Sequence, residues 1–293
     1  MQKWQIPKKE TFDITDIFEC GQCFRWEKET PNSYIGIFGR NILRVKQGQE
    51  VVSFEGVLEG PIEDICTQYF DLATDYETIQ AKLSKVDQNM KESIAYGRGI
   101  RLLNQDLWET ILSFIISANN NIPRIKGIIE RLSHAYGDKL EWEGKEYYTF
   151  PTAKQLAKAR VEDLRKLGLG FRDKRVYETT RMILEGKVDL EELKKEEDFH
   201  KVRETLLRLP GVGPKVADCI LLFSTLKRWE AFPIDVWVKR VMNELYLHHS
   251  DEKKVRNIEI EKIAHEKFGT LAGLAQQYLF YWRREEEKNK RIS

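Results

Sequence analysis

The densest chemistry in the chain lies in Leu209-Pro210-Gly211-Val212-Gly213-Pro214-Lys215-Val216-Ala217-Asp218-Cys219 and, shortly after it, Pro233-Ile234-Asp235-Val236. Helical periodicity on either side of the glycines reads as helix, hairpin, helix. Gly211 and Gly213, with Val212 between them, are expected to turn the backbone with positive φ and to present amide N–H groups at a helix start that Pro214 begins. That arrangement attracts anions, and a nucleic-acid phosphate suits it. Lys215 falls in the first turn of the second helix, where the positive end of the macrodipole and any desolvation disfavour the ammonium. A lowered pKa is therefore expected, and a lysine so treated is a nucleophile. Asp235 stands where an N-cap carboxylate belongs. A plainer reading is open at this point: such hairpins also serve proteins that only hold DNA, a helix-start lysine can simply touch a phosphate, and Asp235 can be a cap and nothing more.

A length of 293 residues suffices for a substantial core in two or three units. Lysine and arginine number 48 against 47 aspartate and glutamate, a net charge of +1. Bulk attraction to a polyanion is nearly absent, so DNA must be held by a local basic face and by backbone amides. No apolar run fit to span a membrane and no signal-peptide pattern occurs, so a soluble protein of the cytoplasm is expected, with no membrane partner. The four cysteines are Cys20, Cys23, Cys66 and Cys219, and disulfides are not expected in that compartment. Cys20-Gly21-Gln22-Cys23 has the form of a redox pair or half a zinc site. A zinc site needs two further ligands at matched spacing, and a thioredoxin-like pair belongs between a strand and a helix of a βαβ unit; neither context is present.

The elements that must position Lys215 and Asp235 read as an α+β chain. Short β-rich runs at 34–38, 42–45 and 51–54 form an antiparallel meander, followed by helices at 61–72, 75–85 and 87–96, with Asp75 and Asp87 placed as N-caps. From residue 102 onward the pattern predicts helices alone, at 107–118, 123–136, 152–159, 161–167, 172–184, 198–208, 214–226, 235–247, 257–268 and 271–284. Gly137, Gly168, Gly186 and Gly269 fall where C-caps belong. Gly97-Arg98-Gly99 marks the boundary between an N-terminal unit, 1–98, and a helical region, 99–293, of two subdomains. The charge runs at 191–197 and 285–290 are expected to be a solvated helix face and a loose tail.

The hairpin with Lys215 and Asp235 resembles the helix-hairpin-helix DNA glycosylases of base-excision repair, in which the lysine attacks C1′ of a damaged nucleotide and the aspartate assists. No cysteine follows Cys219, which sets the chain apart from the branches that carry a four-cysteine iron–sulfur cluster after the catalytic region. Further segments resemble one family, the 8-oxoguanine DNA glycosylase/AP lyases: Cys20-Gly21-Gln22-Cys23-Phe24-Arg25-Trp26, Asn119-Asn120-Asn121-Ile122-Pro123-Arg124-Ile125, Leu167-Gly168-Leu169-Gly170-Phe171-Arg172 and Gln276-Gln277-Tyr278-Leu279-Phe280. The resemblance implies a TBP-like antiparallel β domain, then a helix-hairpin-helix region clasping double-stranded DNA that contains 8-oxoguanine. A monomer from a prokaryote, associated with the nucleoid and needing no metal or organic cofactor, is expected.

It also implies roles. N7 is an acceptor in guanine but carries hydrogen in 8-oxoguanine, so the backbone carbonyl of Gly21 would accept from the lesion and repel guanine, a difference of about 1–3 kcal/mol. Cys219 and Phe280 would form the two sides of the slot for the extruded base, with Gln276 on its Watson–Crick edge. Helical spacing agrees, since Gln276 and Phe280, and Lys215 and Cys219, are i and i+4. Asn119 would fill the hole left in the duplex, Arg124 and Arg172 would hydrogen-bond the stranded cytosine, and Phe171 would be the wedge beside it.

Trp237 departs from the histidine of the animal and fungal enzymes, Phe171 from their tyrosine, and Cys20 and Cys23 from serines. Three competing readings are a glycosylase of the alkyl-base type, which lacks a lysine at this site, a non-catalytic DNA-binding protein anchored by the hairpin, and a thiol oxidoreductase.

Overall fold

The computed structural model describes residues 1–251 and 254–292. Its N-terminal part is a five-stranded antiparallel sheet in the order β1-β5-β4-β3-β2, built from β1 (Gln2–Pro7), β2 (Trp26–Thr30), β3 (Ser33–Phe38), β4 (Asn41–Gln47) and β5 (Val51–Val57). The central three are the meander read from sequence; the outer two were not legible there. β1 only half-buries Trp4 and Ile6, and β2 buries Trp26 alone, leaving Glu27 to Thr30 exposed. Edge strands of this kind carry charge in place of an apolar alternation, which also discourages pairing with another chain. Two short helices, α1 (Ile14–Glu19) and α2 (Ile62–Tyr69), share the sheet's core with Phe54 and Phe70.

The next helices, α3 (Tyr76–Leu83) and α4 (Gln88–Tyr96), are capped by Asp75 and Asp87 as expected. Both contribute to the core of the helical part, α4 lying against the long C-terminal α15 (Ala272–Ile292). That core is threaded by α5 (Leu107–Ser117), buried from Thr110 to Ile116. Around it stand α6 (Ile122–Tyr136), α7 (Ala153–Leu156), α8 (Val161–Leu164), α9 (Asp173–Leu184), α10 (Leu190–Lys195), α11 (Phe199–Leu207), α12 (Pro214–Phe223), α13 (Val236–Met242) and α14 (Asn257–Phe268). No helix among the described residues is long and apolar enough to cross a membrane.

Two expectations are corrected. The region after residue 102 holds a β-hairpin, β6 (Lys139–Trp142) and β7 (Lys145–Tyr148), turning on Glu143 and Gly144 at φ 50° and 73°. Each strand is four residues long and mostly polar, and what buries it is distant in sequence: Trp142 packs with Ile35 and Ile42 of the N-terminal sheet, beneath the Arg44 guanidinium at 4.5 Å. The run at 285–290 is not a loose tail but the continuation of α15, supported by pairs such as Lys288–Glu285 at 2.6 Å. The run at 191–197 is the solvated helix expected, α10, with Asp189 as its cap.

Segment 20–26 is mounted between the two parts. Trp26 stacks on Phe18 at 4.1 Å and donates from Nε1 to the Tyr69 hydroxyl at 3.0 Å, fixing the segment in the sheet's core. Gln22, fully buried, donates to Ile17 O at 2.9 Å and Arg101 O at 2.8 Å and accepts from Leu103 N at 2.8 Å. Arg25 donates to Tyr148 O of the hairpin. A buried amide satisfied at every corner over-determines its neighbours, and Gly21 is one of them.

Candidate active site

The helix-hairpin-helix motif is α11, the turn at 208–213 and α12, its helices joined by the Arg203–Asp218 ion pair at 2.6 Å. Val212 is buried and anchors the turn, and Thr179 Oγ1 donates to Pro210 O at 3.1 Å. Gly211 has φ +87°, and a Cβ there would lie 2.8 Å from Arg175 Cδ, so glycine is required on both counts. The expectation of positive φ at Gly213 is corrected: it is the N-cap of α12, with φ −92°. An N-cap takes extended backbone, which any residue adopts, so what this glycine supplies is open space, nothing lying within 4 Å of where a Cβ would sit. A phosphate can approach the exposed helix start closely.

Lys215 projects from the first turn of α12 over the Phe114 ring, Nζ 5.4 Å from the centroid. Asp235 is the N-cap of α13, its Oδ1 accepting from Val238 N at 2.8 Å. Pro233 and Ile234, both buried, bring that cap back to the start of α12. The expected lowering of the Lys215 pKa is corrected for the free protein. Its ammonium is held above the usual lysine range, first by the Cys219 sulfur, against burial, and then by the Asp235 carboxylate. Both partners reach the amine only in three dimensions, one along the helix and one from the next, and helix-dipole reasoning omits them. Burial pushes the Cys219 thiol up to about 11, so at neutral pH it is protonated and its share of the effect on Lys215 is withheld.

These groups line one cavity of about 190 Å³ together with Gly21, Gln276 and Phe280. Every residue expected to catalyse or to hold the lesion base is therefore in one place. The Gln276 Oε1 is buried and has no hydrogen-bond partner, an acceptor that awaits donors from outside the protein. Among the described residues, none donates a hydrogen bond to the Gly21 carbonyl. Gly21 has φ +92°, and a Cβ would meet Arg284 Nη1 at 3.3 Å and Phe280 Cε1 at 3.8 Å. Gly21→Ala should destabilise the protein by about 1–2 kcal/mol through the left-handed backbone alone, read as a lower thermal midpoint. It should also lower base release more than cleavage at a preformed abasic site, since only the former uses the slot.

The remaining expected residues form a separate rim. Asn119 is exposed, with φ 51°, at the end of α5. Arg124 is exposed in the first turn of α6, where Asn121 caps by accepting from Arg124 N at 3.0 Å. Phe171 is 54% exposed, large for an aromatic side chain, and carries the guanidinium groups of Arg172 and Arg175 at 4.3 and 5.0 Å from its ring centroid. Arg172 differs from the others in being buried. It donates to Ala118 O from Nε at 2.8 Å, to Asn119 O from Nη2 at 2.7 Å and to Leu169 O from Nη1 at 3.3 Å. Arg172 thus holds the loop that presents Asn119.

Sequence reasoning passed over Arg284 and Gln277, whose side chains meet the Gly21 segment. Arg284 continues the i, i+4 stripe of Gln276 and Phe280, a signal that was available; Gln277 gave none. The thiol oxidoreductase reading fails, because Cys20 and Cys23 are buried free thiols whose pKa values burial raises, to about 11 for Cys20 and higher for Cys23.

Two family profiles match the chain: 8-oxoguanine DNA glycosylase, N-terminal domain, over residues 5–111, and HhH-GPD superfamily base excision DNA repair protein over residues 112–266. An N-glycosylase/DNA lyase of Saccharomyces cerevisiae is 30% identical over 317 residues, covering 93% of this chain and 83% of its own. A probable N-glycosylase/DNA lyase of Methanothermobacter thermautotrophicus is 33% identical over 231 residues, covering 72% and 71%. The crystal structure of Clostridium acetobutylicum 8-oxoguanine glycosylase/lyase, in complex with double-stranded DNA containing cytosine opposite 8-oxoG, matches with a TM-score of 0.89 and 42% identity over 97% of this chain and 98% of that one.

Proposed function

This chain belongs to the HhH-GPD superfamily of base-excision DNA repair proteins, on the 8-oxoguanine glycosylase/lyase branch, and we propose that it releases 8-oxoguanine from duplex DNA, preferring cytosine opposite, and cuts the strand through a Schiff base on Lys215. The observation that carries this reading is the shared cavity: an amine and a carboxylate beside two unfilled acceptors, Gln276 Oε1 and the Gly21 carbonyl. A DNA-holding hairpin has no use for such a slot.

The flipped base enters between Cys219 and Phe280 with its N7–H toward Gly21 O and its Watson–Crick edge on Gln276. Lys215 Nζ, having given its proton to solvent as the complex forms, attacks C1′; the bond to the base breaks and its electron pair leaves with the base, which takes up a proton. Asp235 stabilises the positive charge that develops on the sugar. The nitrogen lone pair then expels O4′, which takes up a proton as the C1′–O4′ bond breaks and the ring opens to the iminium; removal of a C2′ proton then breaks the C3′–O bond and expels the 3′ phosphate. Asn119 and Phe171 occupy the gap in the duplex, and Arg124, with Arg172 behind it, faces the stranded cytosine. The same reading has the protein act as a monomer, without metal or organic cofactor, on nucleoid DNA in a prokaryotic cytoplasm.

The test is a gel of duplexes carrying 8-oxoguanine opposite each of the four bases, with and without borohydride. Base release with a trapped covalent adduct, strongest opposite cytosine, is expected; silence on all four would refute the reading. Arg124→Ala should cost about 1–3 kcal/mol opposite cytosine and much less opposite the other bases, flattening the preference.

A further inference from the structure

The segment that carries Gly21 is the C-terminus of α1, and it is capped from the other end of the chain. α1 has no basic residue in its last turn, so the carbonyls of Glu19 and Cys20, at the negative end of the helix, find no donor on α1 itself. Gln277 Nε2 donates to Cys20 O at 2.6 Å, and Arg284 Nη2 donates to Glu19 O. Both stand on α15, seven residues apart and so on one face. Gln277 is 2% exposed, and the Arg284 guanidinium lies 5.3 Å from the centroid of the Phe280 ring. On the far side of Gly21, the Gln22 carbonyl accepts from Gln105 Nε2 at 2.8 Å. Each carbonyl flanking Gly21 is thus held by a side chain, whereas the Gly21 carbonyl accepts no hydrogen bond among the described residues, and Gly21 itself lines the cavity.

We propose that Gln277 and Arg284 are positioning residues for lesion recognition: by capping α1 from α15 they set the distance between the Gly21 carbonyl and the Gln276–Phe280 wall opposite it. The inference rests on the reading of Gly21 as the carbonyl that senses the base. A carbonyl discriminates one hydrogen on N7 only if it cannot retreat from guanine, and a helix end tethered at two consecutive carbonyls has no such freedom. Because α15 supplies both the tethers and the opposite wall, one helix sets the width of the slot.

The experiment compares two reactions of the full-length protein. Release of 8-oxoguanine opposite cytosine needs the slot; strand cleavage at a preformed abasic site needs Lys215 but has no base to read. Gln277→Met and Arg284→Met keep bulk and remove the donors, and each should slow base release by about tenfold or more, the value of one or two lost hydrogen bonds to a charged or fixed partner. Abasic-site cleavage and borohydride trapping on abasic DNA should stay at the wild-type level. Arg284→Lys, which retains a donor for Glu19 O, should regain part of the loss. A parallel fall of both reactions, the signature of a merely structural role, overturns the proposal, as does unchanged base release in both methionine variants. A wild-type protein without 8-oxoguanine release would overturn the functional reading itself, a result distinct from an active wild type with indifferent variants.

Discussion

Lys215→Gln is expected to lower 8-oxoguanine release and strand scission by on the order of 10⁴-fold or more and to abolish the borohydride-trapped adduct, while duplex binding persists. Glutamine keeps a polar chain of similar reach over Phe114, so the cavity is preserved and only the nucleophile is lost. The wild-type rate should also climb with pH, by up to about tenfold per unit, wherever the amine is mainly protonated. Around the amine, the Asp235 carboxylate favours the ammonium and burial opposes it, while the Cys219 thiol, protonated at neutral pH, withholds its share, so the slope runs over the range in which Lys215 gives up its proton. The variant should lose that slope along with its activity. Single-turnover assays from neutral to alkaline pH, paired with a filter-binding or anisotropy titration, separate the nucleophile from the grip. Persistent scission without Lys215 would require another amine at C1′, and no other residue lining the cavity is a lysine.

The parts of this site that were legible in sequence are those fixed by local geometry. Helical spacing put Gln276 with Phe280 and Lys215 with Cys219, and all four line the cavity. Asp235 as a cap followed from its residue type and place before an apolar helix. What was illegible depends on partners far along the chain. The backbone of Gly213 could not be told from that of Gly211 by residue type, because one closes a turn against Arg175 and the other starts a helix. Arg172 gave no sign that it is buried, since its acceptors, Ala118 O and Asn119 O, belong to the end of another helix. The proton affinity of Lys215 depends in the same way on groups that reach it only in three dimensions, first the Cys219 sulfur and, after burial, the Asp235 carboxylate, where helix position and desolvation alone were considered. The hairpin β6–β7 was missed because four-residue strands acquire an apolar face only when Trp142 meets Ile35 and Ile42.

Asp235→Asn should leave stability nearly unchanged and lower base release by about 10²–10³-fold. The two functions of this carboxylate separate in that variant. As an N-cap, Asp235 needs only an oxygen that accepts from Val238 N, and an asparagine amide oxygen supplies one, so the thermal midpoint should hold; Asp235→Ala, losing the cap, should cost about 1 kcal/mol. As a catalyst it needs its charge, because the sugar becomes cationic as the base departs and a neutral amide cannot offset that. The same change lowers the proton affinity of Lys215, since the carboxylate is one of the groups that raise it, so the pH at which the variant's rate levels off should move down. The two effects oppose each other, and their signs identify them: a lower plateau reached at lower pH indicates a carboxylate acting on the sugar and the amine together. A lower plateau reached at higher pH would instead mark Asp235 as the base that takes the proton from Lys215, and an unchanged rate with a lower thermal midpoint would reduce it to a cap.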